Sequence, residues 1–166
     1  MCLYDCERKV LFSGDHVLGD ISPNIVGWDC NWNSLPNYLS SLEKVRTMAV
    51  DLVLPGHRSV IRDHRKRIDE LKLHHQRRLE EVFELVVRDG GTAYEIASRM
   101  TWDWKGGVWS SWPIAQRYFA TGEALSHLQY LHQHGMVNVE KSQRMTRFHQ
   151  APEVSHLLCL PDLIRG

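Results

Sequence analysis

A chain of 166 residues has room for one ordinary domain or two small ones. Hydrophobic residues make up 43% and charged residues 24%, a composition that fits a globular fold and excludes a disordered or fibrous one. Twenty Lys and Arg balance twenty Asp and Glu, so no net field gathers nucleic acid or a membrane surface, and any nucleic-acid role needs a local basic patch. No window approaches the roughly 18 apolar residues that span a bilayer, and Met1-Cys2-Leu3-Tyr4 has neither a basic start nor a long apolar run, so the expected compartment is the cytoplasm. Cys2, Cys6, Cys30 and Cys159 are scattered, without a paired CxxC, and read as free thiols.

Met1 to Tyr4 and Val10 to Phe12 are short apolar runs around the polar turn Asp5-Cys6-Glu7-Arg8, the pattern of a hairpin. The second run leads into Gly14-Asp15-His16, and a loop follows, marked by Gly19, Pro23, Asn24 and Gly27. Leu35, Leu39, Leu42 and Val45 recur at helical steps and predict a helix from Leu35 to Met48. Asp51-Leu52-Val53-Leu54 predicts a short buried strand stopped by Pro55-Gly56-His57. Ile61, Ile68, Leu71, Leu79, Val82, Phe83 and Val86 then form an apolar stripe on a heavily charged helix ended by Asp89-Gly90-Gly91. Thr92 and Glu95 make a capping box for a short helix.

A tryptophan-rich stretch (Trp102, Trp104, Trp109, Trp112) reads as an irregular loop packed over a core. Pro113 opens a long helix whose predicted stripe is Ile114, Tyr118, Leu125, Leu128 and Leu131. Met136 to Val139 and Met145 to Phe148 read as a second hairpin, and the tail from Pro152 to Gly166 as irregular. Three helices followed by a hairpin is the winged-helix order. The run His64-Arg65-Lys66-Arg67 is diluted by acidic neighbours and reads as a solvated helix face. His74, His75, His127, His132 and His134 lack a completing carboxylate or thiolate and read as surface or boundary residues.

Gly14-Asp15-His16 and Pro55-Gly56-His57 carry the chemistry. Each puts a metal-capable side chain where a strand ends, and rigid strands fix the side chains that their following loops present. Carboxylate and imidazole both suit zinc, iron or manganese.

The run Leu3 to Gly19, with Ser13-Gly14-Asp15-His16 at its strand end, resembles the metallo-β-lactamase superfamily. It is similar to the hairpin that follows that family's GHTPGH-type segment. Asp51 to His57 resembles the family's final metal-binding strand end, with the Leu35–Met48 helix between the two. Residues 61 to 139 resemble the winged-helix extension of a branch that includes β-lactamase-like proteins and relatives of hydroxyacylglutathione hydrolase.

The resemblance implies an α/β fold, the C-terminal half of an αββα sandwich, followed by a mainly α winged-helix domain. The implied limits are 1–73 for the first, 74–150 for the second and 151–166 for an irregular tail. It implies that Asp15 bridges two metal ions, zinc in the first instance with iron or manganese as alternatives, and that His57 completes the second ion's shell. His16, Trp28 and Trp32 are candidate pocket residues. The implied activity is hydrolysis of an ester, thioester, amide or phosphodiester by a metal-activated water, on a small molecule or RNA.

The family's HxHxDH motif has no counterpart here, nor does the histidine before the first hairpin. Two ligands shared over two ions do not hold zinc tightly. The expectation is therefore a segment of a longer hydrolase, inactive by itself, with an apolar sheet face left open and a tendency to self-associate. The other reading is a non-catalytic interaction protein or an RNA-contacting winged helix. The long helix has only Arg117 as a firm cation, opposed by Glu123, which argues against sequence-specific DNA binding; Lys141, Arg144 and Arg147 on the second hairpin could touch phosphates.

Overall fold

The computed structural model describes residues 1–28, 33–143, 145–152 and 154. In chain order the elements are β1 (Leu3–Asp5), β2 (Val10–Gly14), α1 (Ser34–Arg46), β3 (Leu52–Pro55), α2 (His64–Asp89), α3 (Ala93–Ala97), a 3-10 turn at Trp109–Ser111, α4 (Ile114–Gln133), β4 (Val137–Lys141) and β5 (Thr146–Gln150). They form two compact units, Met1–Pro23 with Asn37–His75 and Asn24–Pro36 with Gln76–Gly166, and the division falls within α1 and α2. Both are mixed α/β. Among the described residues no helix is long and apolar enough to cross a membrane.

The first unit is built on a three-stranded sheet in the order β1-β2-β3. β1 pairs antiparallel with β2, and β2 pairs parallel with β3. Alternation along β2 sends Leu11 and Ser13 inward and Phe12 outward. Leu11 sits opposite Val53, and both are buried. The stripes of α1 (Tyr38, Leu42, Val45) and of the first part of α2 (Ile68, Leu71) are buried too. Ion pairs Arg46–Asp69 at 2.8 Å and Lys72–Glu43 at 3.0 Å join these two helices. On the outward face Leu3 stands opposite Phe12, and the two are 64% and 48% exposed. Ile61 bridges β3 through two backbone hydrogen bonds to Val53, so it caps that edge and α2 begins three residues later.

The stripe predicted on α2 is buried at every position from Ile68 to Val86. His75 and His127, expected at the surface or its boundary, are fully buried instead. The reason is helical register. His75 lies four residues after Leu71 and four before Leu79, so it fills the gap in that stripe. His127 lies three after Ala124 on α4 and meets the Glu123 carbonyl at 2.7 Å through Nδ1.

The run 64–67 is likewise only half solvated. Arg65 and Lys66 are exposed, whereas His64 is buried. Arg67 donates to Leu18 O at 2.7 Å and Ile21 O at 3.0 Å, stapling the loop after β2.

The second unit gathers the end of α2, α3, α4 and the β4–β5 hairpin around Val82, Phe83, Ile96, Leu128, Leu131, Val137 and Phe148. Gly91 and Phe148 exchange backbone hydrogen bonds of 2.9 and 2.8 Å, tying the α2–α3 turn to β5. The capping box predicted at α3 is present: Glu95 N–H donates to Thr92 Oγ1, and Thr92 N–H to the Glu95 carboxylate. Thr92→Ala should cost about 1 kcal/mol of stability, measurable by urea denaturation, and Thr92→Ser should restore most of it.

The stripe predicted on α4 holds at Leu128 and Leu131 but not at its start, where Ile114 and Tyr118 are 78% and 53% exposed. Ala120, Ala124, Leu128 and Leu131 form the buried stripe. Small alanines carry little hydropathy, so the larger Ile114 and Tyr118 dominate a reading by pattern alone.

The tryptophan stretch is irregular, with Trp112 buried and Trp109 beside it at 5.0 Å between rings. Trp102 donates to Ala97 O and lies under the Arg78 guanidinium. Trp32, Cys30, Cys159, Arg144 and nearly all of the tail 151–166 lie outside the described residues.

Candidate metal centre

Parallel pairing of β2 with β3 puts the C-terminal ends of both strands on one edge of the sheet. Loops at that edge are the usual place for sites in α/β folds. Asp15 follows β2 directly, and His57 follows β3 after one intervening glycine. Asp15 Oδ1 lies 3.4 Å from His57 Nε2. Both side chains are open to solvent, 69% and 68% exposed.

Gly56 makes this approach possible. Its N–H donates to Gly14 O at 2.9 Å, joining the two loops. A Cβ at Gly56 would stand 3.1 Å from Asp15 Oδ1 and 3.3 Å from the Gly14 carbonyl carbon. The glycine of the Pro55-Gly56-His57 motif therefore keeps space beside the carboxylate. Behind Asp15, His16 N–H donates to Ser13 O at 3.0 Å, and the buried Ser13 hydroxyl donates to Val17 O at 2.7 Å. These bonds hold the turn that presents Asp15.

His16, a candidate pocket residue, faces the scaffold. Its Nε2 lies 3.1 Å from Ser41 Oγ, and its ring meets Tyr38 edge to face at 5.3 Å. The Tyr38 hydroxyl donates to His16 O at 3.2 Å. Burial pushes the His16 imidazole below its ordinary pKa, with a smaller opposing effect from Ser41. Trp28 stacks on Tyr118 in the second unit. Tyr38, Ser41 and Arg67 were missed as supports of the loop after β2. Tyr38 sits between Leu35 and Leu39 and gives no separate signal, and Arg67 looked like one of four similar cations.

A carboxylate and an imidazole at this distance are a donor pair suited to a borderline divalent cation. Zinc takes three or four protein donors. Among the described residues no group of three or more His, Cys, Asp or Glu is arranged to hold a metal ion. The described residues thus supply a fitting pair but fall short of a complete cage.

No protein-family profile matches the chain. A β-lactamase domain protein from Burkholderia ambifaria is 37% identical, with a TM-score of 0.75, over 90% of this chain and 44% of its own length. A metallo-β-lactamase family protein from Thermus thermophilus is 32% identical, with a TM-score of 0.74, over the same shares. The structural relatives of this chain are metallo-β-lactamase-family proteins. The chain spans less than half the length of each, so it carries part of a metallo-β-lactamase-like fold.

Proposed function

We propose that this chain supplies the last two ligands of a metal-dependent hydrolase, Asp15 as the bridge between two ions and His57 as a ligand of the second. The observation that carries this reading is the 3.4 Å approach of Asp15 and His57 at the ends of two parallel strands. The likeness to metallo-β-lactamase-family structures at 37% and 32% identity supports it. The chain covers 44% of each relative's length, and in this reading the remaining ligands lie outside its 166 residues. When bound, zinc, or iron or manganese in its place, supplies Lewis acidity for hydrolysis of an ester, thioester or phosphodiester. The substrate is a small molecule, or RNA.

The two-donor count sets the test. Zinc titrated calorimetrically into the 166-residue chain should bind no tighter than about micromolar, orders of magnitude weaker than a closed four-ligand site. His57→Ala should abolish the signal. Tight binding that survives His57→Ala would overturn the assignment.

We further propose that the second unit is a winged helix and that the outward sheet face bearing Leu3 and Phe12 is covered in use. The order of helices and hairpin supports the first, and the exposure of a paired apolar strand face supports the second, either by the rest of the hydrolase or by self-association. Sequence-specific DNA reading has little support, because Arg117 donates to the Tyr94 hydroxyl and Arg147 pairs with Glu95.

A further inference from the structure

The segment from Val26 to Trp28 lies along α4 in an approach that glycine alone permits. Gly27 N–H donates to Gly122 O at 2.8 Å, and the Gln129 amide donates to Gly27 O at 2.9 Å. A Cβ on Gly27 would stand 2.6 Å from Ser126 N, and one on Gly122 would stand 2.9 Å from Trp28 Nε1. The two glycines set the Trp28 ring over Tyr118, with centroids 4.8 Å apart and planes 25° apart.

This placement does not bury the rings. Trp28 is 43% exposed, Tyr118 53% and Tyr94 45%. With Ile114, Arg117 and Thr121 they line a pocket of about 360 Å³, contained within the second unit. That volume suits a small organic ligand.

Arg117 is the cation of this pocket. Its Nη1 donates to the Tyr94 hydroxyl at 3.1 Å. Its Nε is shut away from water and meets no acceptor among the described residues. Thr121 uses its hydroxyl to donate to Arg117 O at 2.7 Å. A buried guanidinium N–H without an acceptor carries an unrecovered desolvation cost. A guanidinium makes charge-assisted hydrogen bonds to a carboxylate.

We propose that this pocket binds a small organic monocarboxylate with a flat apolar body. The carboxylate pairs with the Arg117 guanidinium, and the body lies against Trp28, Tyr118 and Ile114. A single lining cation matches a single negative charge. A nucleic-acid strand would call for several cations along a track, and Arg117 is the one that lines the pocket.

The probes are 2-naphthoate and its neutral analogue 2-naphthamide, titrated calorimetrically into the 166-residue chain. One naphthoate should bind per chain, with naphthamide at least about tenfold weaker, since a charge-assisted pair is replaced by neutral contacts. Arg117→Gln should remove that preference, leaving both probes equally weak. Trp28→Ala should weaken both probes by about tenfold while keeping the preference for naphthoate. Arg117→Lys, which keeps the charge and loses the fork, should fall between wild type and Arg117→Gln. Equal affinity for the two probes, unchanged naphthoate affinity in Arg117→Gln, or no saturable binding would each overturn the proposal. Displacement of naphthoate by a short oligouridylate would overturn it in favour of a nucleic-acid surface. None of these outcomes bears on Asp15 or His57.

Discussion

Asp15→Ala, in a protein that joins this segment to the remaining ligands, should lower hydrolytic turnover by more than about 100-fold, beyond the usual cost of losing a group that merely supports a ligand. The two proposed ligands should also differ from each other in metal content. If Asp15 bridges two ions as proposed, its loss should deplete both metal positions, whereas His57→Ala should leave one ion bound. Metal analysis of the purified variants beside wild type reads this directly. Neither substitution should shift the thermal midpoint of the 166-residue chain, because both side chains are about two-thirds exposed. Gly14, Gly56 and the Ser13–Val17 bond build the turn without them. Full activity in Asp15→Ala would remove the carboxylate from the centre. A large fall in the chain's melting temperature would recast it as a turn residue.

Arg78→Ala should be the most destabilising single substitution among the charged residues, at about 3–5 kcal/mol by chemical denaturation. Arg78 is buried in the second unit and donates to Glu81 at 2.7 Å, Thr101 O at 2.7 Å and Glu123 at 3.3 Å. Its guanidinium also lies 4.2 Å from the centre of the Trp102 ring. Removing it leaves Glu123, 13% exposed, without the cation that pairs with it among the described residues.

The pH dependence has a definite sign. Burial is the largest influence on Glu123 and raises its pKa, against the lowering effect of Arg78. The folded chain therefore holds the Glu123 proton to higher pH than the unfolded chain does. Between the unfolded and folded pKa values the folded state binds more protons, so stability falls as pH rises through that interval. Without Arg78 the interval widens upward. The deficit of Arg78→Ala should thus be larger at pH 8 than at pH 5, because falling pH favours the protonated Glu123, which is buried at less cost than the ionised one. An equal deficit at both would show that lost packing on Trp102 dominates.

Local patterns in the sequence carried much of this architecture. Apolar spacing marked α1, α2 and both hairpins, because a half-buried element must repeat its buried side at its own period. Thr92 and Glu95 announced α3, since the capping box is made within four residues. The wording around Gly14-Asp15-His16 and Pro55-Gly56-His57 named the two residues that the structure brings to 3.4 Å.

What only the tertiary structure decided depends on partners distant in sequence. Whether β2 and β3 run parallel, and so bring Asp15 to His57, is not written in either strand, because the same alternation serves both pairings. His75 and His127 look polar on a hydropathy count, yet helical register makes them core residues. Arg67 is one cation among four until two carbonyls of the loop after β2 meet it. Ile114 and Tyr118 look like core, but the small Ala120 and Ala124 take the buried stripe and leave them to line a pocket with Trp28. The sequence by itself determined which residues are apolar, which break an element and which can bind a metal. The tertiary structure alone decided which of these meet, because a side chain's burial is set by what packs against it.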